Sequence, residues 1–559
     1  MNIPSVIYNS PPRSTSPIHR FIPHSPTCPL LPSTTPPASP PYLFTTDHRQ
    51  RVLTQLRSKA TGLEKYIYLN GLKDREPNLF YEILLGNLLE IVPILYTPTV
   101  GDACSNYSHI WRRPEGLYVT IENKGHIKEV LRSWPAAQAS RIAVVTDGSR
   151  ILGLGDLGAN GLPISIGKLD LYIAGAGIKP TTTLPICLDL GTNTQKFHED
   201  PLYLGIRRKR PDTEEMDEFM HEFMEAMREV FPQLLVQFED FSTDNAFRYL
   251  DLFRNQYRCF NDDIQGTGSV VLSGFLNAAR LSAAAAGTPL TEQRILFFGA
   301  GSAGIGVAKQ LLSFFTLQGL SVEEARSRIW TVDSKGLITA DRKGLQEHKK
   351  FFARTDYQGP PLTKLEDVIK YVKPTALLGL STVRNAFSEE IVRLMASLNT
   401  RPIIFPLSNP VSLCEVDFED ALKWTNGSVI FASGSPYKVT EFNGKRYEPG
   451  QGNNMYIFPG IGLGTILSKA NHVTDSMVEQ AAIALAGSLN ADEQAAGLVY
   501  PRLVRIRDIS AQIALAVIRA AQKDNVDENS LFRNLSDDAL LEYIRAKQWQ
   551  PTTSHLPRL

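Results

Sequence analysis

The stretch Ile295-Leu296-Phe297-Phe298-Gly299-Ala300-Gly301-Ser302-Ala303-Gly304 decides the fold of the larger part of this chain. Its four apolar residues predict a buried strand. The glycines that follow predict a tight turn whose backbone approaches a phosphate closely. A helical pattern begins directly after the last glycine, so unpaired N–H groups at the helix N-terminus face the same point. A strand, this glycine pattern and a helix in that order indicate a dinucleotide site rather than a turn used only for packing.

Alternating strands and helices continue after this stretch. Strands are predicted at Ile329–Val332, Ala376–Leu380, Pro402–Pro406 and Val429–Ala432. The alternation predicts a doubly wound parallel sheet. The second strand ends at Asp333, where a carboxylate would bind a free ribose 2′-hydroxyl, as in NAD. The side chains of Ser334, Lys335, Lys349 and Lys350 would instead neutralise the 2′-phosphate of NADP, or form an ordinary solvated surface run. NAD and NADP both stay open.

The first half of the chain carries a second α/β pattern after a helical lead-in. Helical spacing runs from Asp47 to about Pro93, and strands are predicted at Ile142–Val145, Pro185–Leu190 and Leu234–Phe238. Asp212 and Glu215 predict a helix cap, and methionines repeat along that helix at a spacing that favours core packing. The sequence therefore predicts a disordered segment 1–46, an α/β substrate and metal domain 47–264, a dinucleotide-binding domain 265–525 and a helical tail 526–559.

Length and composition set the remaining bounds. The 559 residues are too many for one hydrophobic core, and 58 basic and 58 acidic residues give no net charge. Nothing in this balance favours nucleic acid or a membrane surface. We find no apolar run of the roughly 18–20 residues that span a bilayer. The five cysteines are scattered, which excludes a disulfide framework or a zinc spacing and fits a reducing compartment.

The first 46 residues differ in kind from the rest. They are rich in Pro and Ser, contain Arg13 and Arg20, and have no acidic residue before Asp47. Such a segment buries too little apolar surface to fold by itself. It resembles a transit segment in charge, but its prolines oppose an amphipathic helix. A transit segment, a disordered tail and a gene-model artefact all stay open, and the expected compartment is the cytoplasm or the mitochondrial matrix.

Carboxylates gather at two places in the first α/β pattern. Glu239 and Asp240 follow a predicted strand, and Asp262 and Asp263 follow Phe260-Asn261. Several carboxylates in one buried site repel one another, and a divalent cation resolves that conflict. Oxygen ligands suit Mg²⁺ or Mn²⁺ better than zinc. A solvated acidic surface is the alternative, and the residues alone leave both interpretations open.

Three further residues stand in segments unusual for pure structure. Tyr96 begins the turn Leu95–Gly101, Arg150 precedes a glycine-punctuated loop, and Lys168 lies in an apolar stretch. The lysine is either a surface residue with a buried stem or a base with a lowered pKa. The tyrosine is either functional or an ordinary core residue.

Taken together these segments resemble the malic enzyme family, from about residue 47 to about residue 520. The motifs that carry the resemblance are YIYLNGLKDR (Tyr66–Arg75), LYTPTVG (Leu95–Gly101), VVTDGSRILGLGDLG (Val144–Gly158), IGKL (Ile166–Leu169), QFEDF (Gln237–Phe241), FNDDIQGT (Phe260–Thr267), GAGSAG (Gly299–Gly304), LSNP (Leu407–Pro410), FASGSP (Phe431–Pro436) and PGQGNNMYIFPG (Pro449–Gly460).

The resemblance implies oxidative decarboxylation of L-malate to pyruvate and CO₂ with NAD or NADP and Mg²⁺ or Mn²⁺. It implies a homodimer or homotetramer. It also assigns roles. Catalysis would fall to Lys168 as general base, to Asp262 beside it and to Tyr96 as general acid. The metal ligands would be Glu239, Asp240 and Asp263. Substrate and the nicotinamide end would be held by Arg150, Asn409, Asn453 and Asn454. The dinucleotide would lie on Gly299, Ala300, Gly301, Ser302, Ala303, Gly304, Asp333, Ser334, Lys335, Lys350 and Asn409, and a fumarate-type activator would lie at Arg51 and Arg75.

Two departures from the family pattern accompany the resemblance. The Pro/Ser-rich start replaces the usual helical segment, and Ser381–Asn385 stands where the family tends to keep glycines. We expect that loop to lie near the cofactor. Two other functions stay open. One is a malolactic-type enzyme that converts malate to lactate with bound cofactor, and the other is a catalytically dead homologue that binds metabolites.

Overall fold

The computed structural model describes residues 48–408 and 411–552, except for the side chain of Ser302. The predicted disordered segment and Asn409 therefore lie outside the described residues. The chain divides into two compact units, residues 1–52 and 53–559. Of the first unit only residues 48–52 are described, and they open helix α1, His48–Arg57.

The helices that follow are numbered in chain order. They are α2 Gly62–Arg75, α3 Pro77–Gly86, α4 Leu88–Leu95, α5 Thr99–Ser105, α6 Tyr107–Ile110, α7 Ile127–Arg132, α8 Leu162–Ala176, α9 Gln195–Glu199, α10 Thr213–Val230, α11 Thr243–Phe253, α12 Thr267–Ala286, α13 Ser302–Thr316, α14 Val322–Ser327, α15 Glu347–Lys350, α16 Leu365–Val372, α17 Glu389–Leu398, α18 Phe418–Trp424, α19 Phe458–Ser468, α20 Asp475–Gly487, α21 Ala491–Ala495, α22 Ile506–Lys523 and α23 Asp537–Lys547.

The strands are numbered in the same way. They are β1 Leu117–Thr120, β2 Ile142–Thr146, β3 Thr183–Asp189, β4 Leu235–Phe238, β5 Cys259–Asn261, β6 Ile295–Phe298, β7 Ile329–Asp333, β8 Gly336–Leu337, β9 Ala376–Gly379, β10 Ile403–Pro406, β11 Ile430–Ser433, β12 Thr440–Phe442, β13 Lys445–Tyr447 and β14 Gly450–Gln451.

The helical lead-in predicted from Asp47 to Pro93 is confirmed as four helices separated by short breaks. Helix α2 begins at a capping box, in which Thr61 accepts from the backbone N–H of Glu64 while the Glu64 carboxylate accepts from the Thr61 N–H. Helix α3 begins at Pro77, where the missing N–H of proline costs nothing. The lead-in packs onto α8 through α3 and α4, and α5, which follows it, packs against the same helix.

Five parallel strands form the first sheet, in the order β1-β3-β2-β4-β5. The chain adds strands on one side of β2 and then on the other, so a crevice forms at the carboxyl ends of β2 and β4. The cap of α10 is confirmed, since Asp212 accepts from the N–H of Glu215 at 3.0 Å. The core interpretation of its methionines is also confirmed, because Met220, Met224 and Met227 are buried. Strands β1 and β5 are not predicted by the sequence patterns.

Seven strands form the second sheet, in the order β14-β11-β10-β9-β6-β7-β8. All neighbours are parallel except β7 and β8. The order reverses between β6 and β9, which places a crevice at the end of β6, where the glycine turn follows. The α/β fold class with a doubly wound parallel sheet is thereby confirmed.

The central helix of this second half contradicts the sequence-based statement that no apolar stretch is long enough to span a bilayer. Residues 262–286 are long and apolar enough to cross a membrane by length and composition alone. Since 72% of its most apolar 18-residue part is buried inside the protein, the stretch has the surroundings of a core helix.

Candidate active site

The two carboxylates after β4 enter the crevice of the first sheet. Glu239 and Asp240 are 2% and 8% exposed, and Asp240 has a positive φ of 55°. That conformation is uncommon for a residue other than glycine and turns the chain sharply at the strand end. The Asp240 backbone N–H donates to the Asp263 carboxylate at 2.8 Å, while its own carboxylate accepts from the Leu152 N–H at 3.1 Å.

A π-helical turn, Asp262–Gly266, follows β5 and presents the second pair of carboxylates. Such turns carry one extra residue per turn and recur at functional sites. Gly266 is required here, because a Cβ at that position would overlap the Asp262 carboxylate. Asp262 faces α8, whereas Asp263 faces Asp240, so two consecutive residues serve different partners.

Glu239, Asp240 and Asp263 bring one carboxylate oxygen each to within 4.8 Å of the others. Oxygens at that separation can share one cation at about 2.1–2.4 Å from each. Burial raises the pKa of Glu239 and of Asp240 well above the ordinary range, which shows how poorly these anions are solvated. Three carboxylate oxygens of like charge, two of them from buried residues, therefore fit Mg²⁺ or Mn²⁺.

Lys168 lies on α8, a helix whose residues are all buried, and is itself 1% exposed. Its ammonium contacts the Asp262 carboxylate and lies 3.0 Å from Glu239. Burial lowers the pKa of Lys168, but Asp262 and Glu239 more than offset that, so the pKa is raised well above its usual value. The surface alternative is wrong, because Lys168 is buried. With no cation bound, the neighbouring carboxylates stabilise the charged form of the lysine.

Tyr96 follows α4 and is 7% exposed. The Lys168 ammonium lies 5.2 Å from the centre of its ring and 4.5 Å from the ring of Phe458. Burial raises the pKa of Tyr96 well above its usual value, and the charge of Lys168 opposes this without overcoming it. Lys168 therefore lowers the pKa of Tyr96 as a neighbouring cation should, but burial raises it by more.

The proposed substrate-holding residues surround the same crevice. Arg150 is exposed, and its guanidinium donates to the Thr243 hydroxyl at 2.6 Å while its backbone N–H donates to the Asp240 carbonyl. Asn454 donates to the Asp262 carboxylate and to Thr267, both at 3.0 Å. Asn453 uses its side-chain oxygen to accept from the Met455 N–H. The crevice thus joins motifs from both halves of the chain.

The glycine turn after β6 has the shape that a pyrophosphate needs. Gly299 has a φ of 111°, and a Cβ there would overlap the Leu380 carbonyl and the Ser381 N–H. Gly301 faces open space, and a Cβ on Gly304 would overlap the Gly299 carbonyl. Helix α13 begins at once, so its free N–H groups face the turn. These features fit a dinucleotide.

Asp333 at the end of β7 is bound by two cations. Arg342 contacts its carboxylate, and the Lys349 ammonium lies 3.0 Å from it. Burial opposes ionisation, but hydrogen bonds from the Lys335 N–H and from Lys349 hold the pKa of Asp333 below its usual value. The sequence analysis missed Arg342, which stands nine residues away along the chain with no motif to mark it. Lys350 instead pairs with Glu347 at the surface.

Comparison with known proteins decides the family. The model described as "Malic enzyme, NAD binding domain" matches residues 264–522, and "Malic enzyme, N-terminal domain" matches residues 73–254. The chain belongs to the malic enzyme family. The NADP-dependent malic enzyme of Dictyostelium discoideum is 48% identical over 90% of this chain and 91% of its own length. The mitochondrial NAD-dependent malic enzyme of Ascaris suum is 44% identical over 91% and 78%.

A solved malic enzyme supports the fold. The Entamoeba histolytica malic enzyme crystal structure aligns with a TM-score of 0.55 and 23% identity, covering 82% of this chain and 80% of that one.

Two predicted activator residues of this chain lie outside the crevice. Arg51 lies on α1 and Arg75 at the end of α2, and both are exposed. Asn409 lies outside the described residues.

Sequence reasoning also missed a buried polar chain behind the carboxylates. Tyr172 donates to Gln237 at 2.5 Å, and Gln237 donates to the second Glu239 oxygen at 2.7 Å. Gln237 and Glu239 stand two residues apart along a strand direction, so they share one face. That spacing was the available signal. The chain fixes one Glu239 oxygen and leaves the other for Lys168 or a cation.

Glu415 is a second residue that the motifs did not reveal. It is fully buried, and one of its oxygens accepts from the Ser381 N–H at 2.9 Å and from the hydroxyls of Ser381 at 2.8 Å and Ser408 at 2.5 Å. It therefore joins the segments that follow β9 and β10. The first residues of the Ser381–Asn385 loop, expected near the cofactor, pack against Gly299.

Replacing Glu415 by Ala should weaken dinucleotide binding about tenfold, since it leaves the buried Ser408 hydroxyl and the half-buried Ser381 hydroxyl without this acceptor beside the glycine turn. Fluorescence titration of the dinucleotide measures this directly. The matched control is Glu493→Ala. Glu493 is equally buried, but its carboxylate accepts from Asn490, Arg502 and Arg505, none of which belongs to the segments after β9 and β10. We expect that variant to lose stability while keeping the dinucleotide affinity, and equal affinities in both variants would contradict the prediction.

Metal binding should depend on pH through Asp263. Burial raises the pKa of Asp263 from 3.8 to about 6, with Lys168 opposing and Asp262 adding to the shift. Without metal, the folded protein keeps a proton that the unfolded chain loses, so the free energy of unfolding falls as pH rises from about 4 to about 6. Metal requires the deprotonated carboxylate. Mn²⁺ should therefore raise the melting temperature more at about pH 7.5 than at about pH 5, as differential scanning fluorimetry with and without Mn²⁺ would show. An equal rise at both pH values would contradict this.

Proposed function

We propose that this protein oxidises L-malate and decarboxylates the product to pyruvate and CO₂, with NAD⁺ or NADP⁺ and Mg²⁺ or Mn²⁺. Membership of the malic enzyme family supports the reaction. The observation that carries it is the contact of Lys168 with Asp262 beside the three-carboxylate cluster. A proton acceptor and a cation site then meet at one crevice, which is what oxidation of a hydroxy acid followed by loss of CO₂ requires.

The residues divide the work as follows. A bound dinucleotide would supply a hydride acceptor, and a cation held by Glu239, Asp240 and Asp263 would supply a Lewis acid. Lys168 passes its proton to the Asp262 carboxylate that it contacts and, as the neutral amine, accepts the malate hydroxyl proton, which restores the ammonium that the structure holds. Arg150 pairs with a malate carboxylate at the exposed side of the crevice. Asn453 and Asn454 hold substrate and nicotinamide in register with Asp262.

Tyr96 returns the proton after CO₂ has left. Its raised pKa keeps the phenol protonated at neutral pH, and a protonated group is what C3 of enolpyruvate needs. Lys168 lies over the Tyr96 ring, so the acid and the base are neighbours in one buried site.

The direct test follows the near-ultraviolet absorbance of reduced nicotinamide with malate and Mn²⁺, using NAD⁺ and NADP⁺ separately. The proposal expects reduced cofactor and pyruvate in equal amounts. Lactate without net reduced cofactor would establish the malolactic-type alternative. Dinucleotide and Mn²⁺ binding without any turnover would establish a dead homologue. A homodimer or homotetramer, the compartment and an activator at Arg51 and Arg75 stay predictions.

We propose further that NADP⁺ is preferred, because Asp333 already pairs with both Arg342 and Lys349. One carboxylate faces two cations there, so one positive charge is left over. An excess cation favours a 2′-phosphate over a hydroxyl. Arg342→Gln and Lys349→Gln should each raise the KM for NADP⁺ ten- to a hundredfold, since each removes about 1.5–3 kcal/mol of charged hydrogen bonding. The KM for NAD⁺ should stay nearly constant.

Lys350→Gln is the control for this prediction, since the Lys350 ammonium pairs with Glu347 at the surface. We expect it to leave both KM values nearly unchanged. Steady-state kinetics with each coenzyme measures the effect. A fall in NADP⁺ affinity for Lys350→Gln, with none for Lys349→Gln, would reverse the assignment.

A further inference from the structure

A small cavity of about 50 Å³ lies at the β14 edge of the seven-stranded sheet. Arg401, the hairpin residues Lys445 and Arg446, and Glu448 supply its charged walls, and Phe431 belongs to its apolar floor. Asp333 and its cations stand at the other end of the same sheet, on β7 beside β8. The cavity is therefore separate from the crevice and from the dinucleotide turn.

The charges that line this cavity do not balance. Three cations face one carboxylate, and that carboxylate, Glu448, already accepts from the Arg502 guanidinium at 2.9 and 3.0 Å and lies 3.4 Å from Arg446. Arg401 is half-buried and has no acidic partner among residues 48–408 and 411–552. Burial lowers the pKa of Arg401, as expected for a guanidinium without a counterion.

The size of the cavity restricts what could supply the missing charge. Each water occupies about 10–15 Å³ of such a cavity, so 50 Å³ holds roughly four oxygen-sized atoms. A tetrahedral oxyanion has four oxygens, and phosphate groups are bound in proteins by arginine forks and lysine ammonium groups. The cavity is too small to enclose a whole nucleotide.

We propose that Arg401, Lys445 and Arg446 form a binding site for a phosphate-type oxyanion, either inorganic phosphate or the phosphoryl group of a small metabolite. Arg401 would anchor the anion from the sheet, while Lys445 and Arg446 would close on it from the β12–β13 hairpin.

Binding of an anion at this site would restrain the crevice through the backbone that connects the two. Gly450 lines the cavity and pairs with Ala432 of β11 through β14. The chain then runs directly to Asn454, whose side chain donates to the Asp262 carboxylate. An anion that orders residues 445–450 therefore restrains the segment that holds Asn454. The site has the position of a regulatory site, and it does not depend on the proposed reaction.

The test uses the full chain saturated with its preferred dinucleotide, so that phosphate cannot occupy the dinucleotide site. Isothermal titration with inorganic phosphate, at constant ionic strength, should give saturable binding to the unaltered protein. Arg401→Gln should weaken it about tenfold or more, because it removes the charged anchor. Lys370→Gln, which removes a lysine paired with Glu366 on the surface of α16, should bind phosphate like the unaltered protein.

A second variant and a second probe complete the test. Lys445→Gln with Arg446→Gln alters only the exposed hairpin and serves if Arg401→Gln fails to fold. Glycerol 3-phosphate in place of phosphate distinguishes the two sources, since tighter binding of the ester indicates a phosphoryl metabolite. Hydrogen exchange of residues 440–454 should slow on binding. Equal phosphate affinity in the unaltered protein and both variants, or no saturable binding, would overturn the proposal.

Discussion

Replacing Lys168 by Ala should lower kcat for malate oxidation by about a thousandfold, within the range that a positioned acid or base contributes. Lys168 contacts the Asp262 carboxylate, and Asn454, the other side chain that hydrogen-bonds this carboxylate among residues 48–408 and 411–552, carries an amide that cannot act as a base. Dinucleotide affinity should stay within about twofold, because Lys168 contacts carboxylates that follow strands of the first sheet, whereas the glycine turn follows β6 of the second sheet. Stopped-flow absorbance of reduced nicotinamide, paired with fluorescence titration of the dinucleotide, separates the two effects.

Lys73 of α2 provides a matched control, because its partner lies on the same helix as Lys168. Lys73 also forms an ion pair with α8, at 2.7 Å from Asp170, and Tyr81 donates to the same carboxylate. Lys73→Ala leaves a buried carboxylate partly compensated and should lower the melting temperature while keeping kcat within a few-fold. If Lys168→Ala kept a tenth or more of the activity, or if Lys73→Ala matched its loss of kcat, the base assignment would be wrong.

Replacing Asp263 by Asn should abolish tight Mn²⁺ binding and lower turnover about a hundred- to a thousandfold. The change removes one of three carboxylates that share the site, and Lewis-acid stabilisation of a developing charge contributes several kcal/mol. Electron paramagnetic resonance of free Mn²⁺ gives the affinity, and the assay at increasing Mn²⁺ gives the turnover.

Asp262→Asn provides the comparison, because the two neighbours face different partners. Asp262 contacts Lys168 and Asn454 and lies outside the three-carboxylate cluster. It should lose turnover while Mn²⁺ binds with nearly unchanged affinity. The same loss of Mn²⁺ binding in both variants would mean that Asp262 is itself a ligand, and unchanged Mn²⁺ binding in Asp263→Asn would remove Asp263 from the ligand set.

Most of the fold was predictable because local patterns and the sheet agree. The second half shows this best: β6, the glycine turn and α13 lie where apolar runs and glycines put them. Strand β5 was not predicted because three residues are too short for a pattern, and β1 was not predicted because only one of its four residues is buried. The bilayer-length stretch 262–286 was missed because polar residues such as Ser269, Ser273 and Asn277 interrupt its apolar residues.

The site was predictable as a set of residue types but not as a set of protonation states. The sequence pattern left two interpretations of Lys168 open, a surface residue and a base of lowered pKa. Neither interpretation included two carboxylates packed against its ammonium. A pKa depends on every charge within a few ångströms, and those neighbours come from β4 and the turn after β5, about 70 to 95 residues later. Arg342 and Glu415 were missed for the same reason, since each acts through contacts that no motif encodes.

Helix α12 has one consequence for how such a protein can vary. It begins at the turn that holds Asp262 and Asp263, and it packs along α13, which begins at the glycine turn. The packing of α12 against α13 thus sets the distance between the proton acceptor and the bound dinucleotide. Removing one residue from the first turn of α12 would rotate the carboxylates by about 100° and shift them by about 1.5 Å, spoiling their alignment. Substitutions at the exposed end of α12 should have little effect by comparison. We therefore expect the sequence of that end to vary among related proteins, while the length of the helix stays constant.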